Sequence, residues 1–199
     1  MTRFLYCLAA ALAAIACASC ASLEGGSSTT ERPALTRPAI EPDGAFWDAA
    51  TVARRGDADA FLFMLSPQMV YLALFPDEEL PPVTSQEEFT KQRQLLETKL
   101  EPYHNVVDRF AARYMLELQK ILRDRFVEVS KPTYTAQFKD SYDRLEGPNR
   151  ARVTVRIYPK TAMPEGAEPE TMEVRFVQDG RRWLIDGFTN DKLKGAFVR

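Results

Sequence analysis

The apolar residues between positions 103 and 121 are spaced for one face of a helix, and this spacing limits the fold more than any other feature of the chain. They are Tyr103, Val107, Phe110, Tyr114, Leu118 and Ile121. Because an α-helix has 3.6 residues per turn, steps of three and four residues place all six side chains in one stripe. A stripe of this kind must be covered by another layer, so we expect a long helix that packs against the rest of the domain.

Four shorter helices are predicted before this stripe, because each stretch begins with a residue that can cap a helix. The candidate caps are Asp43, Asp57, Ser66 before Pro67, and the two overlapping capping boxes within Thr84–Glu88. We expect these helices over 45–55, 58–65, 67–75 and from 86 to about Leu100. Gly56 should end the first of them, and Pro102 should break or kink the last.

After residue 126 the apolar residues alternate with polar ones, which is the period of a β-strand. The alternating segments are Thr133–Lys139, Arg152–Ile157, Met172–Phe176 and Arg182–Gly187. Asp179 and Gly180 favour a tight hairpin between the last two segments, since glycine readily adopts a positive φ. The sequence therefore predicts an α+β fold. Helices should pack on a curved antiparallel sheet of about four strands, with residues 85–126 as a long helical insertion.

The N-terminus has the pattern of an export signal. One positive charge in residues 1–3 precedes an apolar run over residues 4–18, which is shorter than the roughly 20 residues of a membrane-spanning helix. A positive start, a short apolar segment and small residues at its end are typical of a secretory signal peptide. The alternative is a short membrane anchor that stays attached.

The cysteines lie only in this region, at positions 7, 17 and 20. Small residues precede both Cys17 and Cys20, in the stretch AAIACASCAS, which resembles the lipobox of bacterial lipoproteins. The resemblance implies that Cys20 carries the lipid, with Cys17 as the alternative, since Cys17 holds the position where the family usually has an aliphatic residue. It also implies a membrane-anchored lipoprotein of the bacterial cell envelope, at the outer membrane or periplasmic face. Plain cleavage after Ala16-Cys17-Ala18, without a lipid, is the other possibility.

Composition divides the chain into three parts: a signal peptide over 1–19, a lipid-attached tether over 20–44 and a single domain over 45–199. The tether is rich in Ser, Thr, Pro and Gly and poor in large apolar residues. No cysteine follows Cys20, so the domain should contain no disulfide, no thiolate nucleophile and no cysteine-bound zinc. The net charge of −2 argues against a nucleic-acid partner.

Two segments of the predicted domain resemble the nuclear-transport-factor-2-like superfamily, which has a cone-shaped, cystatin-like fold. They are FWDAATVARRGDADAFLFMLSP, at 46–67, and MEVRFVQDGRRWLIDGF, at 172–188. The first matches a helix that ends in Gly-Asp and a short helix that ends in Leu-Ser-Pro. The second matches a closing hairpin with a core-facing Trp183. The stretch 85–126 is longer than the family usually has, and it is either an insertion or a partner surface.

The resemblance also directs attention to polar residues inside the cone, where ketosteroid isomerases and polyketide cyclases of the superfamily use an Asp, His or Tyr. The candidates here are Tyr71, Tyr103, His104, Tyr114 and Asp186. Tyr71, His104 and Tyr114 are the possible pocket residues, whereas alternation with Trp183 and Ile185 places Asp186 on the solvent face. None of them lies in a catalytic motif of the family, so we expect no catalytic residue, no metal and no cofactor.

Two functions are open at this stage. The first is a non-catalytic envelope lipoprotein that binds a small ligand or a protein partner through the cone or the long helix. The alternative is a small acid–base enzyme, of isomerase or cyclase type, that acts inside the cone. The packing of the interior separates them. The enzyme has no room for a substrate if one set of side chains fills the cone, namely Phe61, Leu65, Tyr71, Phe176 and Trp183.

Overall fold

A computed structural model describes residues 39–139, 145–190 and Leu193, and within these residues helices precede strands along the chain. The helices are α1 (Pro42–Arg55), α2 (Ala58–Leu62), α3 (Pro67–Leu74), α4 (Gln86–Leu100) and, after a 3₁₀ turn at Glu101–Tyr103, α5 (His104–Leu122). The strands are β1 (Arg125–Val129), β2 (Thr133–Lys139), β3 (Leu145–Pro159), β4 (Glu170–Asp179) and β5 (Arg182–Phe188). All pairings are antiparallel, so the predicted α+β class is confirmed.

Most of the predicted helix ends are observed. The side chains of Asp57, Ser66 and Ser85 each accept a hydrogen bond from the backbone N–H three residues further on, at 2.9, 3.0 and 3.2 Å. These bonds satisfy donors that have no partner inside the helix. Gly56 ends α1 with a φ of 73°, a left-handed conformation that glycine adopts without strain. Local capping chemistry therefore fixes where α2, α3 and α4 begin.

The start of α1 differs from the prediction. Asp43 does not cap the helix, which begins at Pro42 and has Asp43 in its first turn. Proline suits the first helical position, because its fixed φ matches the helix and its missing N–H would have no partner there. The backbone N–H of Ala39 donates to Asp48 at 2.9 Å, so the folded domain includes residues that the sequence assigned to the tether. The predicted signal peptide and tether up to residue 38 lie outside the described residues.

The sheet is four strands wide although it contains five strands. The long strand β3 pairs with β4 on one side. On its other side it pairs with β1 over one half of its length and with β2 over the other half. β5 pairs with the far side of β4. Ser130 continues the ladder between β1 and β2, because its N–H donates to Thr154 O and its hydroxyl accepts from Thr154 N–H, both at 2.9 Å. The width agrees with the predicted four strands. The strand that the sequence analysis missed is β1.

The sequence does not predict β1, because the end of α5 carries no glycine or proline that would indicate the end of a helix. The helix ends at Leu122, and the chain turns at Asp124, whose φ is 55°. Aspartate tolerates this left-handed conformation better than most residues do, but neither glycine nor proline marks the turn. The sequence pattern therefore predicts that the long helical stretch continues to residue 126, whereas the strand begins at Arg125.

The main core lies between the helices and one face of the sheet. The stripe on α5 is buried as predicted at Val107, Tyr114, Leu118 and Ile121, is half-buried at Phe110, and ends at the exposed Tyr103. The sheet contributes one buried row from each central strand to the same cluster. These residues are Ala151, Val153, Val155 and Ile157 of β3, and Met172, Val174 and Phe176 of β4. The long helix is therefore an integral layer of the domain.

Helix α4 contributes to both faces of the sheet. Its Phe89 packs with Phe138, Val177 and Leu184 in a second, smaller cluster, while Leu96 and Leu100 belong to the main core. Val177 and Leu184 each follow a core-facing residue along their strands, so strand alternation turns them to the opposite face. The edge of β5 is covered as well, because Leu65 forms a parallel bridge with Ile185. A covered edge cannot pair with another chain.

Candidate functional site

In the part of the chain that the structure describes, the interior is packed with side chains. Phe61, Leu65, Tyr71, Phe176 and Trp183 are all buried and belong to one packed cluster. These are the five side chains that would fill the cone that the sequence analysis expects. The candidate polar residues lie at different places relative to this core.

Tyr114 lies inside the core, where only 1% of it is exposed. Its ring is 6.1 Å from Phe61, 6.0 Å from Phe110 and 5.2 Å from Phe188, measured between ring centres. Burial raises the pKa of the Tyr114 hydroxyl well above its usual range, so this side chain stays neutral. Its surroundings are those of a structural aromatic residue.

The ring of Tyr71 is buried, and its hydroxyl forms hydrogen bonds with partly exposed charged side chains. The hydroxyl donates to Glu78 Oε2 at 2.5 Å and accepts from Lys99 Nζ at 3.1 Å. The ammonium group of Lys99 also lies 5.1 Å from the centre of the Tyr71 ring. The hydrogen bond to Tyr71 raises the pKa of Lys99, so the lysine keeps its charge. This group links α3 and the loop after it to the end of α4.

His104 is exposed at the start of α5. Its Nδ1 lies 3.3 Å from the carbonyl oxygen of Glu101, in the preceding turn. Among the described residues it forms no hydrogen bond with Asp108, the acid that could have oriented it for catalysis. The neighbouring Tyr103 packs against Phe75, with 5.3 Å between ring centres. Tyr71, His104 and Tyr114 thus lie in three different surroundings.

The prediction that Asp186 faces solvent is wrong, because a β-bulge turns its side chain away from solvent. Arg175 pairs with Gly187 while Phe176 pairs with Ile185, so Asp186 is one extra residue in β5. Its side chain is only 11% exposed, and it accepts hydrogen bonds from Ser66 Oγ at 2.6 Å and from Arg150 at 3.1 Å. The bulge turns this carboxylate toward the start of α3. Its contacts are structural, because they join the helix cap to the sheet.

The side of α5 opposite its buried stripe is exposed and basic. We call this surface the α5 face; it comprises Val106, Arg109, Arg113, Leu116 and Lys120, at steps of 3, 4, 3 and 4 residues. Lys120 is paired with Glu117 at 2.7 Å, whereas Arg109 and Arg113 form no ion pair with any described residue. Leu116 is 48% exposed between them. Arg109 Nε donates to the carbonyl oxygen of Asn105 at 3.1 Å, so the α5 face combines guanidinium groups without a described ion pair with exposed aliphatic side chains.

A second basic surface lies where α1 and α5 end. It is a cleft of about 370 Å³, which we call the basic cleft, and it is lined by Arg54, Gln119, Leu122, Arg123, Asp124, Arg125 and Lys160. Lys160 donates to Asp124 at 2.8 Å, and this hydrogen bond lowers the pKa of Asp124. Arg125 donates to Glu170 at 2.5 Å. The sequence analysis missed this surface, because its residues come from three separate parts of the chain.

The chain enters the domain through a set of polar contacts with aromatic residues, which we call the entry clasp. Trp183 Nε1 donates to the carbonyl oxygen of Ile40 at 3.0 Å, and the hydroxyl of Tyr134 donates to Glu41 at 2.6 Å. The rings of Tyr134 and Trp183 lie 5.9 Å apart. The clasp holds the start of α1 against β2 and β5.

The described part of the chain offers no group of three or more His, Cys, Asp or Glu side chains placed to share a metal ion. Nor does it contain a helix that combines the length and apolar character needed to span a bilayer. No family model, no curated protein and no solved structure matches this chain. The resemblance to the nuclear-transport-factor-2-like superfamily and to the lipobox therefore stays a prediction.

The entry clasp should release at high pH. The hydrogen bond to Glu41 raises the pKa of Tyr134 to about 12. Because the folded pKa is above the unfolded value of about 10, the Tyr134–Glu41 hydrogen bond contributes its full stability below pH 10, and this contribution is lost as the pH rises through 12. The tyrosinate absorbance that disappears in Tyr134→Phe should titrate near pH 12 in the wild type, and nearer 10 in Glu41→Gln. Glu128→Gln removes a similar contact from Tyr158 and should leave the Tyr134 step unchanged. A Tyr134 step near pH 10 in the wild type would contradict the clasp.

Proposed function

We propose that this protein is a lipoprotein of the bacterial cell envelope whose domain binds an acidic protein surface through the α5 face and catalyses no reaction. The observation that carries the proposal is that Arg109 and Arg113, on an exposed helix side, form no ion pair with any residue that the structure describes. The closed interior supports it, because the side chains that would bound a cone are packed against one another.

The anchor is a lipid on Cys20, with Cys17 as the alternative. Eighteen residues separate Cys20 from Ala39, the first described residue. Even fully extended, that length of chain reaches only about 60 Å, so the domain stays near the membrane that holds the lipid. The entry clasp supports this arrangement, because its hydrogen bonds to Ile40 and Glu41 hold the chain where the tether joins the domain.

The α5 face has the composition of a protein interface. Arginine is enriched at interfaces, since its planar group donates several hydrogen bonds to carboxylates and its stem covers apolar surface. Val106 and Leu116 supply exposed apolar area next to Arg109 and Arg113. Burying these arginines without an acid would cost desolvation energy, so the partner must present carboxylates. An acidic protein surface is therefore the partner that fits the α5 face.

The alternative function, an acid–base enzyme that acts in the cone, needs a polar group held in an apolar pocket beside its substrate. The hydroxyl of Tyr71 is bound to Glu78 and Lys99, and His104 is exposed on α5. Tyr114 lies among the rings of the core. These separate placements favour the binding function over the enzyme.

The anchor is tested by metabolic labelling with palmitate. We expect the wild-type chain to be labelled and recovered with membranes, and we expect Cys20→Ser to lose both the label and the membrane association. Cys17→Ser is the matched control and should keep the label. If the label is lost only in Cys17→Ser, the attachment site is Cys17. Labelling that persists in both variants, or that is absent from the wild type, contradicts the lipoprotein proposal.

The binding surface is tested by charge reversal. We expect the double variant Arg109→Glu, Arg113→Glu to bind its partner roughly tenfold more weakly, because the new carboxylates repel an acidic surface. Arg181→Glu reverses an exposed charge in the β4–β5 turn and is the matched control. Partner recovery from native membranes, measured quantitatively, should fall in the double variant and at high salt but not in Arg181→Glu. Equal recovery in all three proteins would contradict the proposal.

A further inference from the structure

We propose that the basic cleft is a binding site for a phosphate ester. The cleft is formed by the last turns of α1 and α5, the turn at Asp124 and the residue after β3. Its volume of about 370 Å³ falls within the range of small-ligand pockets, roughly 300–1,000 Å³. This site is separate from the α5 face, and the inference does not depend on lipid attachment or on a protein partner.

The charge of the cleft favours an anion. Four of its lining side chains are cationic, Arg54, Arg123, Arg125 and Lys160, and one is a carboxylate, Asp124. Asp124 engages Lys160, and Glu170 engages Arg125 from outside the cleft. Arg54 and Arg123 form no ion pair with any residue that the structure describes. Two guanidinium groups from different elements thus remain available to one ligand.

Basic residues near helix C-termini have a simpler explanation, which is that they complement the helix dipole. That explanation does not account for Arg54. Arg55 lies in the same last turn of α1 and supplies a cation there without lining the cleft. The backbone N–H groups of Gly56 and Asp57 already donate to the carbonyl oxygens of Ala53 and Val52. Two of the last four carbonyl oxygens of α1 therefore have backbone partners, and Arg55 supplies a cation at this end without Arg54.

The lining favours an organic phosphate over a simple anion. Guanidinium groups bind phosphate oxygens in pairs, and the ammonium of Lys160 adds a point charge. Leu122 and the amide of Gln119 offer an apolar contact and a hydrogen-bonding group to the rest of the ligand. Both a soluble phosphate ester and a phospholipid headgroup have this chemistry. The cleft lies at the far end of α1 from the entry clasp, about 20 Å along the helix.

The test uses the full chain in the presence of phosphatidylcholine nanodiscs, whether or not it attaches to them, with glycerol 3-phosphate as the probe and calorimetry as the readout. We expect saturable binding that is about tenfold weaker in Arg54→Gln and in Arg123→Gln, the usual effect of losing a charged hydrogen bond. Arg55→Gln removes the same charge from the same helix turn and should bind as the wild type does. Asp124→Asn should bind several-fold more tightly, because it removes the one acid of the cleft and frees Lys160. Asparagine also tolerates the positive φ at this position.

Repeating the titration in nanodiscs that contain phosphatidylglycerol distinguishes the two sources. Competition by this lipid that depends on Arg54 supports a headgroup as the ligand, and undiminished binding of glycerol 3-phosphate supports a soluble ester. The proposal is overturned if glycerol 3-phosphate does not bind the wild type at millimolar concentration. It is also overturned if Arg55→Gln weakens binding as much as Arg54→Gln does, or if chloride at equal ionic strength displaces the probe completely. Since Arg109 and Arg113 lie outside the cleft, loss of partner binding in their variants leaves these outcomes unaffected.

Discussion

The edge of β5 is covered at Ile185 by Met64, Leu65 and Ser66, three of the four residues that join α2 to α3, and this contact ties both helices to the sheet. Ile185 donates its N–H to Met64 O at 2.7 Å and accepts from Ser66 N–H at 2.8 Å. Ser66 also caps α3 and donates its hydroxyl to Asp186. One short segment therefore protects the sheet edge, starts a helix and binds the carboxylate that the β-bulge presents. These contacts add to the burial of Phe61 and Met69, which packs α2 and α3 into the main core.

This junction contributes to the packing of the described interior, and the surfaces proposed for binding lie outside it. With α2 and α3 held against β5, α5 packs across α1 and α2, and its apolar stripe meets the central strands. The side of α5 that faces away carries Arg109 and Arg113, and its C-terminal end forms one wall of the basic cleft. The two surfaces proposed for binding are thus the exposed side and the end of the helix whose other side builds the core.

The features that the sequence predicts are those decided by neighbours along the chain. The stripe from Val107 to Ile121, the caps at Asp57 and Ser66, and the Asp179-Gly180 hairpin each depend on a few consecutive residues, and each is observed. The missed features depend on contacts between distant residues. β1 is held by pairing with β3, and the bulge at Asp186 is supported by Ser66 and Arg150. The basic cleft joins residues 54, 119–125 and 160, and no local pattern indicates that they meet.

The side chains of the described core residues fill the space between the helices and the sheet. Val174 lies at the centre of that layer and is fully buried, paired with Val153 on β3 and Phe188 on β5. The most direct test is the free energy of unfolding of Val174→Phe, measured with urea, with Thr171→Phe on the exposed side of the same strand as the control. A filled interior has no room for the larger ring, so the account predicts a loss of about 1–3 kcal/mol for Val174→Phe and little change for the control. An unchanged or increased free energy of unfolding in Val174→Phe would show that the interior has open space, and would contradict the account.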